Sequence, residues 1–315
     1  MAAMQLIINY SKYLILIILS CSLLTTWYAT ETEVINLMPT AYRDAVVVDR
    51  GDHPTETIWQ NMSRQFKLDT RAQSAQVQAE IKKMLAEGRI NVILRAAVPY
   101  IYFIHKQTEA RHLPAELALI PVIESEFNPY DRSKVGATGL WQLMSRTAHE
   151  LGVKVRSGYD GRRNVVASTK AALAYFNDLG VMFKGNWLLA IAAYNCGQVR
   201  VQSAMRKSGS KNFWGLPLPR ETKFYVPRLL AVAEIIKNPE KYGVILPPVN
   251  NKPYFESVGV SKPVNLETVA RKTGTDVKTL QKLNPDYHRG SKPKSETKAI
   301  LVPANKVSEI KEAVK

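Results

Sequence analysis

The segment Pro114-Ala-Glu-Leu-Ala-Leu-Ile-Pro-Val-Ile-Glu124 is apolar on nearly every side and ends in a carboxylate. Proline suits the first turn of a helix, where its missing N–H has no intrahelical partner to lose. A helix with no polar face has nothing to present to water, so this one is expected inside a helical domain. The neighbouring segments agree. Ser74 to Ala86 predicts a helix ending near Gly88, and Asn91 to Ile104, with apolar residues three and four apart, predicts another. Downstream, helices are expected from Leu140 to Leu151, stopped by Gly152, and from Asn164 as N-cap through Leu179, stopped by Gly180. Two more run from Trp187 to Tyr194 and from Glu221 to Lys237, before Pro239. Strand signals are nearly absent between residues 71 and 238, so residues 71–245 read as one all-α domain.

Past Tyr242 the composition shifts to Pro247, Pro248, Pro253 and Pro263, a linker pattern that marks a boundary. A small module at 253–304 follows. Tyr254 to Val258 and Ile300 to Pro303 read as short strands, with helices Leu266–Thr273 and Val277–Leu283 between them, in the order βααβ. On the other side, residues 30–70 carry scattered polar residues with no sustained period and read as a loosely packed tether. Before them, Lys12 precedes the apolar run Tyr13 to Leu19, close to the roughly 7–15 residues of a secretory h-region and short of a membrane span. Residues 1–29 are therefore an export signal or anchor. Ile18-Leu-Ser-Cys21 resembles a bacterial lipoprotein cleavage box, with Leu19 a departure from it; Cys21 is either the lipidated residue or one more apolar residue of the signal. A periplasmic location with attachment to the outer membrane is the corresponding expectation.

The 315 residues carry 43 Lys plus Arg against 27 Asp plus Glu, a net charge of +16. Such a surface attracts polyanions: nucleic acid, acidic lipid or an anionic cell-wall polymer. No RNP-type aromatic motif, zinc-finger spacing or reading helix is present, so nucleic acid is set aside. With only Cys21 and Cys196 a disulfide framework is excluded, and the five histidines (His53, His105, His112, His149, His288) have no ligand spacing. No metal or other cofactor is expected, and nothing in the pattern calls for a second chain, so a monomer is expected.

Glu124 is the residue that demands explanation. A carboxylate at the end of an apolar run either finds a partner or raises its pKa and stays protonated, and a protonated carboxyl can donate to a glycosidic oxygen. The alternative is a salt-bridged residue at a helix end. Around it stand Glu124-Ser125-x-Phe127-Asn128-Pro129, Ser133-x-x-Gly136-Ala137-x-Gly139-Leu140-Trp141-Gln142-x-Met144 and Thr147-Ala148. Asn164-Val-Val-Ala-Ser168, Trp187-Leu-Leu-Ala190, Ala193-Tyr-Asn195-x-Gly197 and Glu221-Thr222-x-x-Tyr225-Val226 follow in order. This series resembles the catalytic motif of the soluble-lytic-transglycosylase domain family, which shares its fold with goose-type lysozyme.

The resemblance implies a lysozyme-like helical domain with Glu124 as catalyst. It implies a substrate cleft lined by Ser133, Gln142, Met144, Tyr194, Asn195, Glu221 and Tyr225. Ser133 is spaced to hydrogen-bond Glu124 or an N-acetyl group, or merely to cap a turn. Met144 is a sugar-facing surface or plain core, Tyr194 a cleft phenol or a satisfied core tyrosine, and Cys196 inert packing. Glu126 is not a second catalytic carboxylate in family terms. The activity implied is cleavage of peptidoglycan glycan strands with a 1,6-anhydro product, one glutamate sufficing because the muramic 6-hydroxyl is the nucleophile. A hydrolytic muramidase and a non-catalytic wall-binding lipoprotein remain the alternatives.

The module resembles a degenerate LysM unit through Leu266-x-x-Val269-Ala270-x-x-x-Gly274, Leu280-x-x-Leu283-Asn284-Pro285 and Ile300-Leu-Val-Pro303. Lys262-Pro-Val-Asn265 replaces the usual Gly-Asp-Thr before its first helix, leaving glycan binding and a spacer role open. Removal of 253–315 is expected to weaken wall association and leave the chemistry intact.

Overall fold

The computed structural model describes residues 56–156, 159–261, 264–287 and 299–315; the apolar N-terminal run, Cys21 and the lead-in through residue 55 lie outside the described residues. The architecture is mainly helical, and one large core runs from Ile58 to the start of the C-terminal module.

Helix α1 (Ile58–Arg64) falls within the segment expected to pack loosely, yet Ile58, Trp59 and Met62 are buried. The Trp59 indole donates to the carbonyl of Pro247 at 2.8 Å, so helix and linker hold each other. A helix of seven residues spans about two turns, too short to show its period against polar surroundings. Helix α2 (Ala75–Ala86) is capped by Ser74, whose hydroxyl accepts from the Val77 amide. The single helix expected over 91–104 is two: α3 (Ile90–Ala97) and α4 (Ile101–Glu109). Pro99 has no N–H to continue the ladder, and the Val98 and Tyr100 amides close tighter bonds to Arg95 and Ala97 instead.

The apolar run is buried from Ala115 through Val122, as its composition requires. It forms a 3₁₀ turn (Ala115–Leu119) running into α5 (Ile120–Glu124). The helix expected from Leu140 shrinks to α6 (Ser145–Glu150), because Gly139 and Gln142 adopt left-handed conformations (φ +83° and +45°) that no helix accommodates. A two-residue hairpin, β1 (Val155–Arg156) with β2 (Tyr159–Asp160), precedes α7 (Val165–Met182). Asn164 caps α7 as expected, accepting from the Ala167 amide at 2.9 Å, but Gly180 does not stop it. Its missing Cβ leaves room for the Trp187 indole, which a methyl there would meet at 2.5 Å. Helices α8 (Trp187–Cys196), α9 (Gln198–Ser208) and α10 (Arg220–Lys237) complete the body. Among the described residues no helix is long and apolar enough to cross a membrane.

In the module, β3 (Phe255–Gly259) pairs antiparallel with β4 (Ala299–Pro303), Phe255 opposite Pro303. Between them lie α11 (Leu266–Thr273) and α12 (Val277–Leu283), capped by Asn265 and Asp276. A further helix, α13 (Val307–Ala313), places Ile310 in the module's small core. Phe255, Leu283 and Leu301, however, belong to the large core, and the Phe255 ring lies 5.3 Å from that of Phe103. The module is thus packed into the helical body through these three residues.

Candidate active site

Helix α5 ends abruptly, and that ending sets the site. The Pro121 carbonyl accepts from both the Ser125 and Phe127 amides (3.2 and 3.1 Å), and Glu126 and Phe127 follow in left-handed conformations (φ +52° and +58°). Each costs a non-glycine residue about 1–2 kcal/mol. Burial of Phe127, whose ring lies parallel to that of Tyr100 at 6.3 Å, holds them there. The Ser125 hydroxyl donates to the Leu140 carbonyl at 2.8 Å and fastens the helix end to the facing loop. Glu124 is left as the last helical residue, partly open to solvent and otherwise enclosed.

The Tyr225 hydroxyl, from α10, donates to Glu124 Oε1 at 2.5 Å. Burial pushes the Glu124 carboxyl up to about 7; the Tyr225 bond opposes the rise and the charge of Glu221 adds to it. Burial, with the Glu124 charge behind it, holds the Tyr194 and Tyr225 phenols well above their ordinary value, so both remain donors. A carboxyl poised near neutrality can give up a proton and take one back within a single turnover.

The α8 and α10 residues form one network. Thr222 donates to Asn195 Oδ1 at 2.7 Å, and the Asn195 amide reaches Glu221 Oε1 at 3.5 Å. Tyr194 stacks on Phe176 (4.4 Å, 10°) and donates to the Trp141 carbonyl at 2.7 Å, so its hydroxyl ties α8 to the opposite loop. Thr222 stands in the motif quoted from the sequence, but no role was assigned to it there; its bond to Asn195 supplies one.

That loop, residues 128–143, is built on glycine and arginine. A Cβ on Gly139 would stand 2.2 Å from the Arg162 carbonyl oxygen. Arg162, only 4% exposed, pairs with Asp160 at 2.7 Å and donates to the Gly136 and Leu143 carbonyls at 2.8 and 3.1 Å. Nothing local in the sequence distinguishes Arg162 from the exposed arginines around it; only tertiary placement reveals a loop brace. The Gln142 amide donates to Gly139 O (2.9 Å) and Asp131 O (3.3 Å), which fixes its plane. Ser133 Oγ accepts from the Ala137 amide at 3.0 Å and so caps its turn, and no hydrogen bond joins it to Glu124 among the described residues.

Met144 is 44% exposed and lines a cavity of about 520 Å³ with Arg132, Arg156, Tyr159 and Arg163, whose walls do not include Glu124. Glu126 pairs with Arg89. Burial raises the Cys196 thiol above its ordinary value. Among the described residues no group of three or more His, Cys, Asp or Glu could hold a metal ion.

Residues 101–216 match the family described as the transglycosylase SLT domain, and residues 254–315 match the LysM-like domain of lytic transglycosylase MltD. By these matches the helical body is similar to the transglycosylase SLT domain and the C-terminal module to that LysM-like domain. Its relatives include membrane-bound lytic murein transglycosylase D of Escherichia coli, 35% identical over 265 residues, which are 83% of this chain and 59% of that protein. The chain thus spans less than two thirds of that relative. The peptidoglycan transglycosylase of Escherichia phage T7 is 31% identical over 167 residues, 50% of this chain and 12% of its own length. Among solved structures, the 70 kDa soluble lytic transglycosylase of Escherichia coli aligns with a TM-score of 0.41 at 22% identity, over 57% of this chain and 30% of that one.

Proposed function

We propose that this protein is a lytic transglycosylase of peptidoglycan, with Glu124 as its single general acid and base. What chiefly supports this reading is one largely enclosed carboxyl at the end of α5, hydrogen-bonded by Tyr225 and raised to about 7. In the first half-reaction protonated Glu124 donates to the oxygen linking N-acetylmuramic acid to the next N-acetylglucosamine. The C1–O bond breaks, with the 2-acetamido group assisting. In the second, the muramic 6-hydroxyl attacks C1 and its proton passes to the Glu124 carboxylate. The ring closes as 1,6-anhydro-N-acetylmuramic acid, no water is consumed, and Glu124 ends as it began. Tyr225 orients the carboxyl, while the Asn195–Thr222–Glu221 network and the Gln142 amide hold the flanking sugars.

Glycosidases that hydrolyse their substrate commonly use a second carboxylate to activate water. Glu221 is the candidate for such a role, because its charge reaches Glu124. Analysis of the products decides between the two. Digestion of purified sacculi should release muropeptides with anhydro ends, lighter than reducing ends by one water and resistant to borohydride. Mainly reducible ends would make the enzyme a muramidase.

The peptidoglycan strand is the partner, and the basic surface and LysM-like module favour the anionic wall. Anchoring through a lipid on Cys21 at the periplasmic face of the outer membrane belongs to the same proposal. Palmitate label that persists in Cys21→Ala would remove the anchor.

A further inference from the structure

The module's second helix ends against the helical body, beside the loop of residues 128–143. Helix termini leave their last carbonyls without intrahelical donors. At the C-terminus of α12 two of these are met from the helical body: the Tyr130 hydroxyl donates to Gln281 O at 2.7 Å and the Tyr100 hydroxyl to Lys282 O at 2.9 Å. A third bond follows at once, from the Asn164 amide to Asp286 Oδ2 at 2.9 Å.

The three donors are not arbitrary surface groups. Tyr100 lies against Phe127, the left-handed residue that ends the helix carrying Glu124. Asn164 caps α7 with its other amide atom. Tyr130 opens the cleft loop: its carbonyl accepts from Arg163 at 2.7 Å, and the carbonyl of the next residue, Asp131, accepts from the Gly139 amide (3.0 Å) and from Gln142 Nε2. The bonds close a circuit from α12 through Tyr130 to Arg163 and Asn164, and back through Asp286. Phe255, Leu283 and Leu301 in the shared core keep α12 from moving independently of the body.

We propose that the segment Gln281–Asp286 is a positioning element of the active site, holding Tyr130 and Asn164 so that the Asp131 carbonyl can fix the Gln142 amide against the substrate. The LysM-like module then acts on turnover as well as on attachment to the wall. This rests on the reading of Gln142 as a substrate-facing group. Tyr130, Asn164 and Asp286 are positioning residues, acting through Gln142.

The test separates positioning from wall binding and from stability. Full-length Tyr130→Phe and Asp286→Ala are assayed on a soluble tetrasaccharide of the glycan strand, beside sedimentation with sacculi and thermal melting. The expected result is a fall in kcat of about three- to tenfold, the range of one lost hydrogen bond, with KM and sedimentation unchanged. Tyr130→Phe should melt with wild type. Asp286→Asn, which keeps an acceptor for the Asn164 amide, should recover most of the rate. Tyr130→Phe combined with Gln142→Ala should be no slower than Gln142→Ala alone, since both act at one point. Wild-type kcat in Tyr130→Phe beside an impaired Gln142→Ala overturns the positioning role alone. Loss confined to sedimentation, or to melting temperature, overturns it as well. Full activity in Gln142→Ala overturns the reading of the cleft, and the positioning role with it.

Discussion

Replacing Glu124 by glutamine keeps the shape of the side chain and an acceptor for Tyr225, but removes the proton that both half-reactions of the proposed mechanism move. The structure gives this change two opposite signatures. The folded carboxyl titrates at about 7 against an ordinary 4.5. At about 1.4 kcal/mol per unit that is about 3 kcal/mol, and solvent contact at this partly open residue brings it to about 2–3 kcal/mol. The folded state binds this proton more tightly than the unfolded chain. Between about pH 4.5 and pH 7 the unfolded chain releases it first, so stability falls as pH rises through that window and the full penalty remains above it. Glutamine carries no such penalty. Glu124→Gln should therefore be more stable than wild type by up to about 2–3 kcal/mol near pH 8, less whatever the weakened Tyr225 bond costs, and nearly equal to it near pH 4. Its release of soluble muropeptides from sacculi should fall by at least about a thousandfold. Urea melts at the two pH values and a turbidity assay on sacculi measure both effects. Activity within about tenfold of wild type, or an equal stability change at both pH values, would refute the reasoning.

Because Glu124 must begin protonated, kcat/KM should decline as pH rises through about 7. Tyr225→Phe removes the bond that lowers this pKa, so the alkaline limb of the pH–rate profile should move up while maximal rate drops about tenfold for want of orientation. Glu221→Gln removes a charge that raises it, so the same limb should move down; a shift in the same direction as Tyr225→Phe would contradict the assigned electrostatics. Gly139→Ala sets a methyl 2.2 Å from the Arg162 carbonyl at φ +83°, and should cost about 2–4 kcal/mol in denaturant melts and most of the activity. Removing residues 254–315 strips Phe103 of its ring partner and three residues from the large core, so the truncated body should melt lower than the full chain.

Periodicity and end signals were enough for the number and order of most helices, because each is encoded within a few turns of chain. The module's α11 and α12 occupy the expected residues, and Asn164 caps α7 where expected. The misreadings share a cause. Gly180 looked like a helix stop because a glycine that makes room for a tryptophan is indistinguishable, along the chain, from one that ends a helix. Leu140–Met144 looked helical because nothing local says that Gln142 is turned left-handed by a loop braced from Arg162. Pro99 could have been weighed as a break, since its missing donor is visible in one dimension.

For the site, the sequence by itself determined which residue types were available: a carboxyl after an apolar run, tyrosines and amides at helix ends, glycines in one loop. Only the tertiary structure decided which of them meet. Glu124 and Tyr225 are a hundred and one positions apart, yet the Tyr225 hydroxyl donates to Glu124 at 2.5 Å. Ser133 bonds within its own turn, while Arg162 and Tyr130 brace the loop of residues 128–143 without having declared themselves. A pKa depends on the dielectric and charges that surround a group in space, and these come from elements far along the chain. Sequence can therefore place a carboxyl at the end of a helix, but the packing of α5 against α10 sets the pH at which it titrates.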